Sequence, residues 1–283
     1  MATFQNFATL TYNGGSALSN LVTGQIVEAL QMTKTAVRGT YAPGDAVTYV
    51  LSIVNAGTDA FANLTLTDDL GAYAVETGTV TPLSYENGSL LYYVNGALQA
   101  APAVTAGPPL TITGITVPAE SSILFVYTVE VNAFAPLTGE TGIVNTATLT
   151  GGGLTAPVTA TETVLPQDGV NLTISKFVSP ETVTENETLT YTFVISNYGG
   201  AAAEAGDNLS VSDTFDPVLQ DISVTLNGNN LLPMYYSYQI QTGLFVTVPG
   251  IITVPAATFT QDETTGVWTV TPGTAILTVS GTV

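Results

Sequence analysis

Lysine is the scarcest reactive side chain in this sequence, and its two copies sit in matched surroundings. Among 283 residues there are 3 basic and 22 acidic side chains, and Lys34 and Lys176 stand 142 positions apart (176 − 34). In Leu30, Met32, Lys34, Ala36 and again in Leu172, Ile174, Lys176, Val178, each lysine shares its parity with apolar residues. Alternate residues of a strand share one face, so both lysines are expected to point into a core. The same parity groups Asp68 with Leu64, Leu66 and Leu70, and Asp213 with Leu209, Val211 and Phe215. Asn145 falls with Ile143, Ala147 and Leu149, and Asn6 with Phe4, Ala8 and Leu10.

Those residue types suggest one reaction. A lysine taken out of water without partners tends to lose its proton, and a neutral amine is a nucleophile. An aspartic acid kept protonated by burial can polarise an amide. Lys, Asn and Asp on adjoining strands are what an autocatalytic isopeptide bond requires. The amine attacks the asparagine side-chain carbonyl, the aspartate hydrogen-bonds the oxygen and shuttles the proton, and ammonia leaves. The competing reading is a lysine that snorkels at a sheet edge and aspartates that begin turns.

The elements that must position these groups are strands. Thr, Val, Tyr and Phe are abundant, with 27 Gly and 15 Pro as punctuation, and helical periodicity is essentially absent. Thr48-Tyr49-Val50-Leu51-Ser52-Ile53-Val54-Asn55-Ala56-Gly57 matches Thr190-Tyr191-Thr192-Phe193-Val194-Ile195-Ser196-Asn197-Tyr198-Gly199, also 142 residues on. Asn63 to Asp68 matches Asn208 to Asp213, and Val117-Pro118-Ala119 parallels Thr271-Pro272-Gly273. The chain is therefore expected to be all-β, two tandem immunoglobulin-like sandwiches over 31–168 and 169–283, joined by a linker at Leu165-Pro166-Gln167-Asp168-Gly169.

The repeats are unequal. The first ends in a hairpin, Ile143 to Thr150, a Gly151-Gly152-Gly153 turn, then Val158 to Val164, and the second has no counterpart before Val283. A matching segment lies at the other end: Gln5 to Thr11 parallels Val144 to Thr150, followed by Gly14-Gly15 and a strand expected from Val22 to Leu30. Residues 1–30 thus read as a donor hairpin for the second sandwich of another copy, with Phe4, Asn6, Ala8, Leu10 and Tyr12 as assembly residues. Head-to-tail insertion does not close, so an open filament is expected. The alternative is a piece cut from a longer tandem array.

Composition removes other classes. With no His and no Cys there is no Ser-His-Asp or Cys-His nucleophile, no imidazole or thiolate metal site and no disulfide. A net charge of −19 opposes nucleic acid and anionic membranes as partners. Acidic pairs such as Asp68-Asp69 lack the spacing of a calcium loop, so no metal and no cofactor are expected. No secretory leader and no apolar run long enough to span a bilayer are visible in the sequence.

The motifs Gly44-Asp45, Thr48-Tyr49, Asn55-Ala56-Gly57, Thr67-Asp68 and Asn145-Thr146-Ala147-Thr148 resemble the bacterial surface repeat family catalogued as domain of unknown function 11. The Lys/Asn/Asp set is also similar to that of isopeptide-forming immunoglobulin-like domains in bacterial pilins and adhesins. That resemblance implies an intramolecular set of Lys34, Asp68 and Asn145, and a second of Lys176 and Asp213 with Asn6 of a neighbouring subunit. It implies a structural fibre subunit, not an enzyme, on a cell or spore surface, similar to spore appendages. The rival expectation is an adhesin or carbohydrate-binding stalk using loops around Leu83–Val104 or Leu226–Val248; the cluster Tyr235, Tyr236 and Tyr238 has the rings to stack on sugars but is expected to fill a sandwich face.

Overall fold

Alternating apolar and polar residues, broken by Gly, Pro, Asn and Asp, leave the chain almost no element but the strand. The computed structural model describes residues 2–26, 29–138 and 142–283. The amino-terminal region holds β1 (Ala2–Asn6), β2 (Thr9–Tyr12), β3 (Gly15–Leu18) and β4 (Val22–Ile26). The first repeat begins with β5 (Leu30–Ala36), β6 (Thr40–Tyr41), β7 (Ala46–Asn55), β8 (Phe61–Asp68), β9 (Tyr73–Val75), β10 (Gly78–Val80) and β11 (Leu83–Tyr85). It continues with β12 (Leu91–Val94), β13 (Ala97–Gln99), β14 (Ala103–Thr105), β15 (Leu110–Val117), β16 (Ser121–Val131), β17 (Ile143–Gly151) and β18 (Val158–Pro166). The second repeat has β19 (Leu172–Ser179), β20 (Thr188–Asn197), β21 (Ser212–Thr214), β22 (Gln220–Leu226) and β23 (Asn229–Asn230). Then come β24 (Tyr236–Gln239), β25 (Leu244–Thr247), β26 (Thr258–Gln261), β27 (Trp268–Thr271) and β28 (Gly273–Thr282). Among the described residues no helix is long and apolar enough to cross a membrane.

Two sheets face each other in the first repeat. One runs β13-β12-β16-β7-β5 and the other β14-β15-β8-β17-β18-β6. Their inner faces, including Tyr49, Leu51, Ile53, Phe125, Tyr127, Leu64, Leu66, Ala147 and Leu149, close one buried core. The β17–β18 turn needs left-handed backbone at Gly151, Gly152 and Gly153, with φ of 83°, 58° and 82°. The second repeat keeps the first sheet as β19-β20-β28-β22-β23, but its facing sheet is only β21-β25-β24. Among the described residues it has no counterpart of β17 and β18. In the first repeat β17 lies along β8; in the second, β21 pairs with β25 on one side and carries no strand on the other.

Several boundaries differ from the sequence expectation. The return limb of the amino-terminal hairpin starts at Gly15, not Val22, and Leu30 opens β5 as a buried core residue of the first repeat. Apolar identity at Leu30 fits either limb; its inward packing decides. Leu165 and Pro166 belong to β18, where they pair in parallel with Thr40 and Tyr41, so the linker shrinks to residues 167–169. The spans Leu83–Val104 and Leu226–Val248 are not free loops: they contain β11 to β13 and β23 to β25, hydrogen-bonded into ladders. Tyr235, Tyr236 and Tyr238 pack against the second core.

Candidate cross-link sites

In the first repeat, β5 alternates buried and exposed residues and aims Lys34 inward. Lys34 Nζ lies 2.7 Å from Asp68 Oδ2, and the two side chains are 0% and 2% exposed. Asp68 ends β8, where its Oδ1 accepts the Leu70 N–H at 2.9 Å; Leu70 has left-handed backbone, φ 57°. Oδ2 also accepts the Tyr127 hydroxyl. The Lys34 amine sits 4.8 Å from the centre of the Tyr49 ring. Burial pulls the Lys34 pKa below the ordinary lysine value, against the opposing pull of Asp68, Asp69 and Glu162.

The expected third residue, Asn145, lies on β17 of the facing sheet. Ala147 pairs with Asp68 in the β17–β8 ladder, so Asn145 stands one inward step further along β17. It is fully buried, and neither its Oδ1 nor its Nδ2 has a hydrogen-bond partner. The Tyr49 hydroxyl faces that amide without reaching hydrogen-bond geometry. Orphaned buried polar groups cost about 1–3 kcal/mol each, so a buried amide left bare needs a reason.

The second repeat assembles two of its three expected groups. Lys176 on β19 faces Asp213 on β21 as an ion pair through Oδ2 that lacks hydrogen-bond geometry, while Asp213 Oδ1 accepts the Thr214 N–H at 2.9 Å. The Lys176 side chain is 41% exposed, against the expectation that parity alone would bury it. The physical reason is that, among the described residues, no pair of strands covers β19: all of it is exposed, including its inward residues Leu172, Ile174 and Val178. Lys176 Nζ rests 4.5 Å from the Tyr191 ring centre and 5.7 Å from those of Phe193 and Phe215. Beside it runs an apolar groove lined by Leu172, Ile174, Ile195, Leu209, Val211 and Ile252.

Asn6 is not brought to Lys176 within the chain. It ends β1, opposite Val22 of β4, in a hairpin that continues through Ala8 and Ser19 into β2 and β3. This hairpin pairs with neither sandwich, and its described side chains are open on both faces. Phe4, Ala8, Leu10 and Tyr12 are exposed, as are Phe7, Leu18 and Leu21. Apolar residues on both faces of a two-stranded ribbon are unusual for a segment at rest in water.

Sequence reasoning missed the phenols. Tyr49 and Tyr191 stand in the matched segments that reveal the repeat, yet only their packing against the lysines gives them a role; Tyr127 offered no signal beyond its parity in β16. Among the described residues no three His, Cys, Asp or Glu side chains converge as metal ligands.

Comparison with known proteins is confined to shape. No protein-family model matches the chain, and no curated protein matches it. Among solved structures it is similar to the major pilin subunit BcpA of Bacillus cereus, at 14% identity and TM-score 0.39, covering 93% of this chain and 70% of that one. It is similar to the pilus backbone RrgB of Streptococcus pneumoniae at 11% identity and TM-score 0.33, with 86% and 56% covered. A 35 kDa C-terminal fragment of the major pilin of Streptococcus agalactiae gives 15% identity and TM-score 0.34, with 87% and 79% covered.

Proposed function

We propose that this chain is the structural subunit of an extracellular filament, polymerising head to tail by donor-strand complementation and locked by Lys–Asn isopeptide bonds. The observation that carries it is the pairing of two defects: a second sandwich without counterparts of β17 and β18, and a detached hairpin whose first limb repeats the β17 sequence. Asn6, Ala8 and Leu10 correspond to Asn145, Ala147 and Leu149 (145 − 6 = 147 − 8 = 149 − 10 = 139), and Asp213 and Val211 to Asp68 and Leu66 (213 − 68 = 211 − 66 = 145). Because Ala147 pairs with Asp68 and Leu149 with Leu66, the incoming Ala8 pairs with Asp213 and Leu10 with Val211. That register sets Asn6 at Lys176 as Asn145 is set at Lys34. The return limb β3–β4 takes the place of β18, whose Ala160 packs on the core and whose Glu162 Oε1 accepts the Ala36 N–H at 3.3 Å.

At each site the chemistry balances without a co-reactant. The lysine ammonium gives one proton to the aspartate, and the amine adds to the asparagine Cγ. Its second proton and the one held by the aspartate leave with the amide nitrogen, the Cγ–Nδ2 bond breaks, and ammonium departs. Asp68 Oδ2 faces the amine while Oδ1 accepts the Leu70 N–H, a placement suited to shuttling the proton. The partners are further copies of the same chain. A charge of −19 suits a surface fibre in water and disfavours nucleic acid and anionic membrane. Spore or cell surface is the proposed location. The adhesin alternative would have to use the turns between the ladder strands of those spans.

Boiling in detergent tests the lock. Wild type is expected to leave a ladder of oligomers that vanishes in Lys176→Ala and in Asn6→Ala, while deletion of residues 1–28 abolishes polymers and leaves the first repeat folded. Filaments that persist after that deletion overturn the hairpin's role; a wild type that runs only as monomer removes the intermolecular bond.

A further inference from the structure

Asp68 does not face Lys34 alone. Tyr127 on β16 is sealed in the core, and its hydroxyl donates to the same Oδ2 that Lys34 approaches, while the Leu70 N–H holds Oδ1. The carboxylate is thereby fixed at both ends. The phenol is fixed in turn: its ring stacks on Tyr49 at 5.9 Å and 28°, and lies 6.5 Å from Tyr85. A buried hydroxyl keeps its partner because losing it strands a polar group. Burial, with the charge of Asp68 next, pushes the Tyr127 pKa well above that of a free phenol, so it remains a donor.

We propose that Tyr127 is a positioning residue for the first-repeat cross-link, acting through Asp68 by holding Oδ2 on the path of the lysine proton. This rests on the isopeptide reading above. The Lys34 nitrogen–Asn145 Cγ bond forms and the Asn145 Cγ–Nδ2 bond breaks; one Lys34 proton passes through Asp68 and a second leaves the attacking nitrogen, both ending on Nδ2, which departs as ammonium. The Tyr127 proton stays on its oxygen throughout.

The second repeat shows what the arrangement looks like without this phenol. Tyr127 pairs with Tyr49 across the ladder, whereas Tyr191, the counterpart of Tyr49, pairs with Val279. There Asp213 has only the Thr214 N–H and the Lys176 ion pair, and the amine rests on aromatic rings. The first site is preset by its own core. The second is left waiting for the incoming hairpin to fix it.

The test follows ammonia loss in time. Full-length chain synthesised cell-free and held in denaturant is refolded by dilution at a series of pH values, and the linked Lys34–Asn145 fragment is quantified by mass spectrometry after digestion. Tyr127→Phe keeps the stacked ring and is expected to slow linkage at least about tenfold and to change the shape of the pH profile. The titratable groups facing the site from neighbouring strands, Lys34, Asp68, Asp69, Glu162 and Tyr49, are the same in both proteins. Tyr85→Phe, which lines the same ring without touching Asp68, is expected to react as the parent does. An unchanged rate and profile in Tyr127→Phe, or equal slowing in both variants, overturns the assignment while the cross-link stands. A folded parent that never links Lys34 to Asn145 overturns the cross-link and the role of Tyr127 together.

Discussion

Leu10→Ala offers the sharpest measurement of the donor-strand register. In the free hairpin Leu10 is 66% exposed, whereas its counterpart Leu149 is fully buried between the sheets of the first repeat. Complete burial of a leucine side chain is worth about 1.5–3 kcal/mol, and about two thirds of that, roughly 1–2 kcal/mol, is gained on insertion. Truncation in a filled slot also leaves a void, which raises leucine-to-alanine losses in cores to about 2–5 kcal/mol. A docked ribbon can settle into part of that void, so the expected loss is about 1–3 kcal/mol, a subunit affinity weakened about 5- to 150-fold.

The measurement needs a reversible polymer, so the change is made in a Lys176→Ala background that cannot form the intermolecular amide. Sedimentation or light scattering then gives the concentration at which filaments appear. Leu98→Ala is the matched control. Leu98 is as open to solvent, at 60%, but lies on β13 of the first repeat, away from the groove. Leu10→Ala should raise the assembly concentration by the factor above and Leu98→Ala should leave it in place. Equal behaviour of the two variants would refute the register, because exposed leucine would then be acting as generic stickiness.

Two further expectations concern the folded repeats. Burial raises the pKa values of Tyr41, Tyr49 and Tyr127 above that of a free tyrosine. Their stability contribution is therefore intact below the unfolded-state pKa of about 10 and is lost as pH climbs beyond it. Denaturant midpoints should be level from about pH 7 to 9 and fall above about pH 10, less steeply in Tyr41→Phe, which gives up the hydroxyl bond to the Pro136 carbonyl. The β26–β27 hairpin fastens the second repeat to the first through Trp268 N–H to Ala133 O (2.9 Å), Gln261 Nε2 to the Tyr73 hydroxyl (3.0 Å) and Thr77 Oγ1 to Thr264 O (2.6 Å). Tyr73→Phe with Thr77→Ala removes the latter two, about 1–3 kcal/mol together, along with the Tyr73 hydroxyl's bonds to the Phe134 carbonyl (2.6 Å) and the Gly266 carbonyl (3.4 Å), and should split one calorimetric transition into two; a single unchanged transition would show that the repeats are coupled elsewhere.

Strand parity carried much of this structure. It placed Lys34, Asp68 and Asn145 on inward faces because period-2 alternation is a local property that the complete first sandwich respects. It could not set the exposure of Lys176, since burial needs a second layer and parity reports only direction. Leu30 fell both in the return limb and on the strand of Lys34, because an apolar residue at a junction satisfies either neighbour. Leu83–Val104 was taken for loops because Asn and Gly at positions 87–88 and 95–96 punctuate strands too short for alternation to register. Tyr127 was invisible as a functional group because a tyrosine at an inward position reads as packing until its hydroxyl is seen on Asp68.

The two lysines can be compared as one site before and after its covering strands arrive. Lys34, under β17 and β18, has lost all contact with water and is pulled toward its neutral form, the state in which an amine attacks. Lys176, without that cover, remains partly solvated and rests on aromatic faces. On the proposed assembly, insertion of a hairpin would supply the asparagine and expel the water in a single event, so the reaction would wait for the correct partner. The order matters for a fibre. An amine reactive before docking would form bonds in any register, whereas one activated by the cover itself makes the covalent step report on strand pairing already achieved.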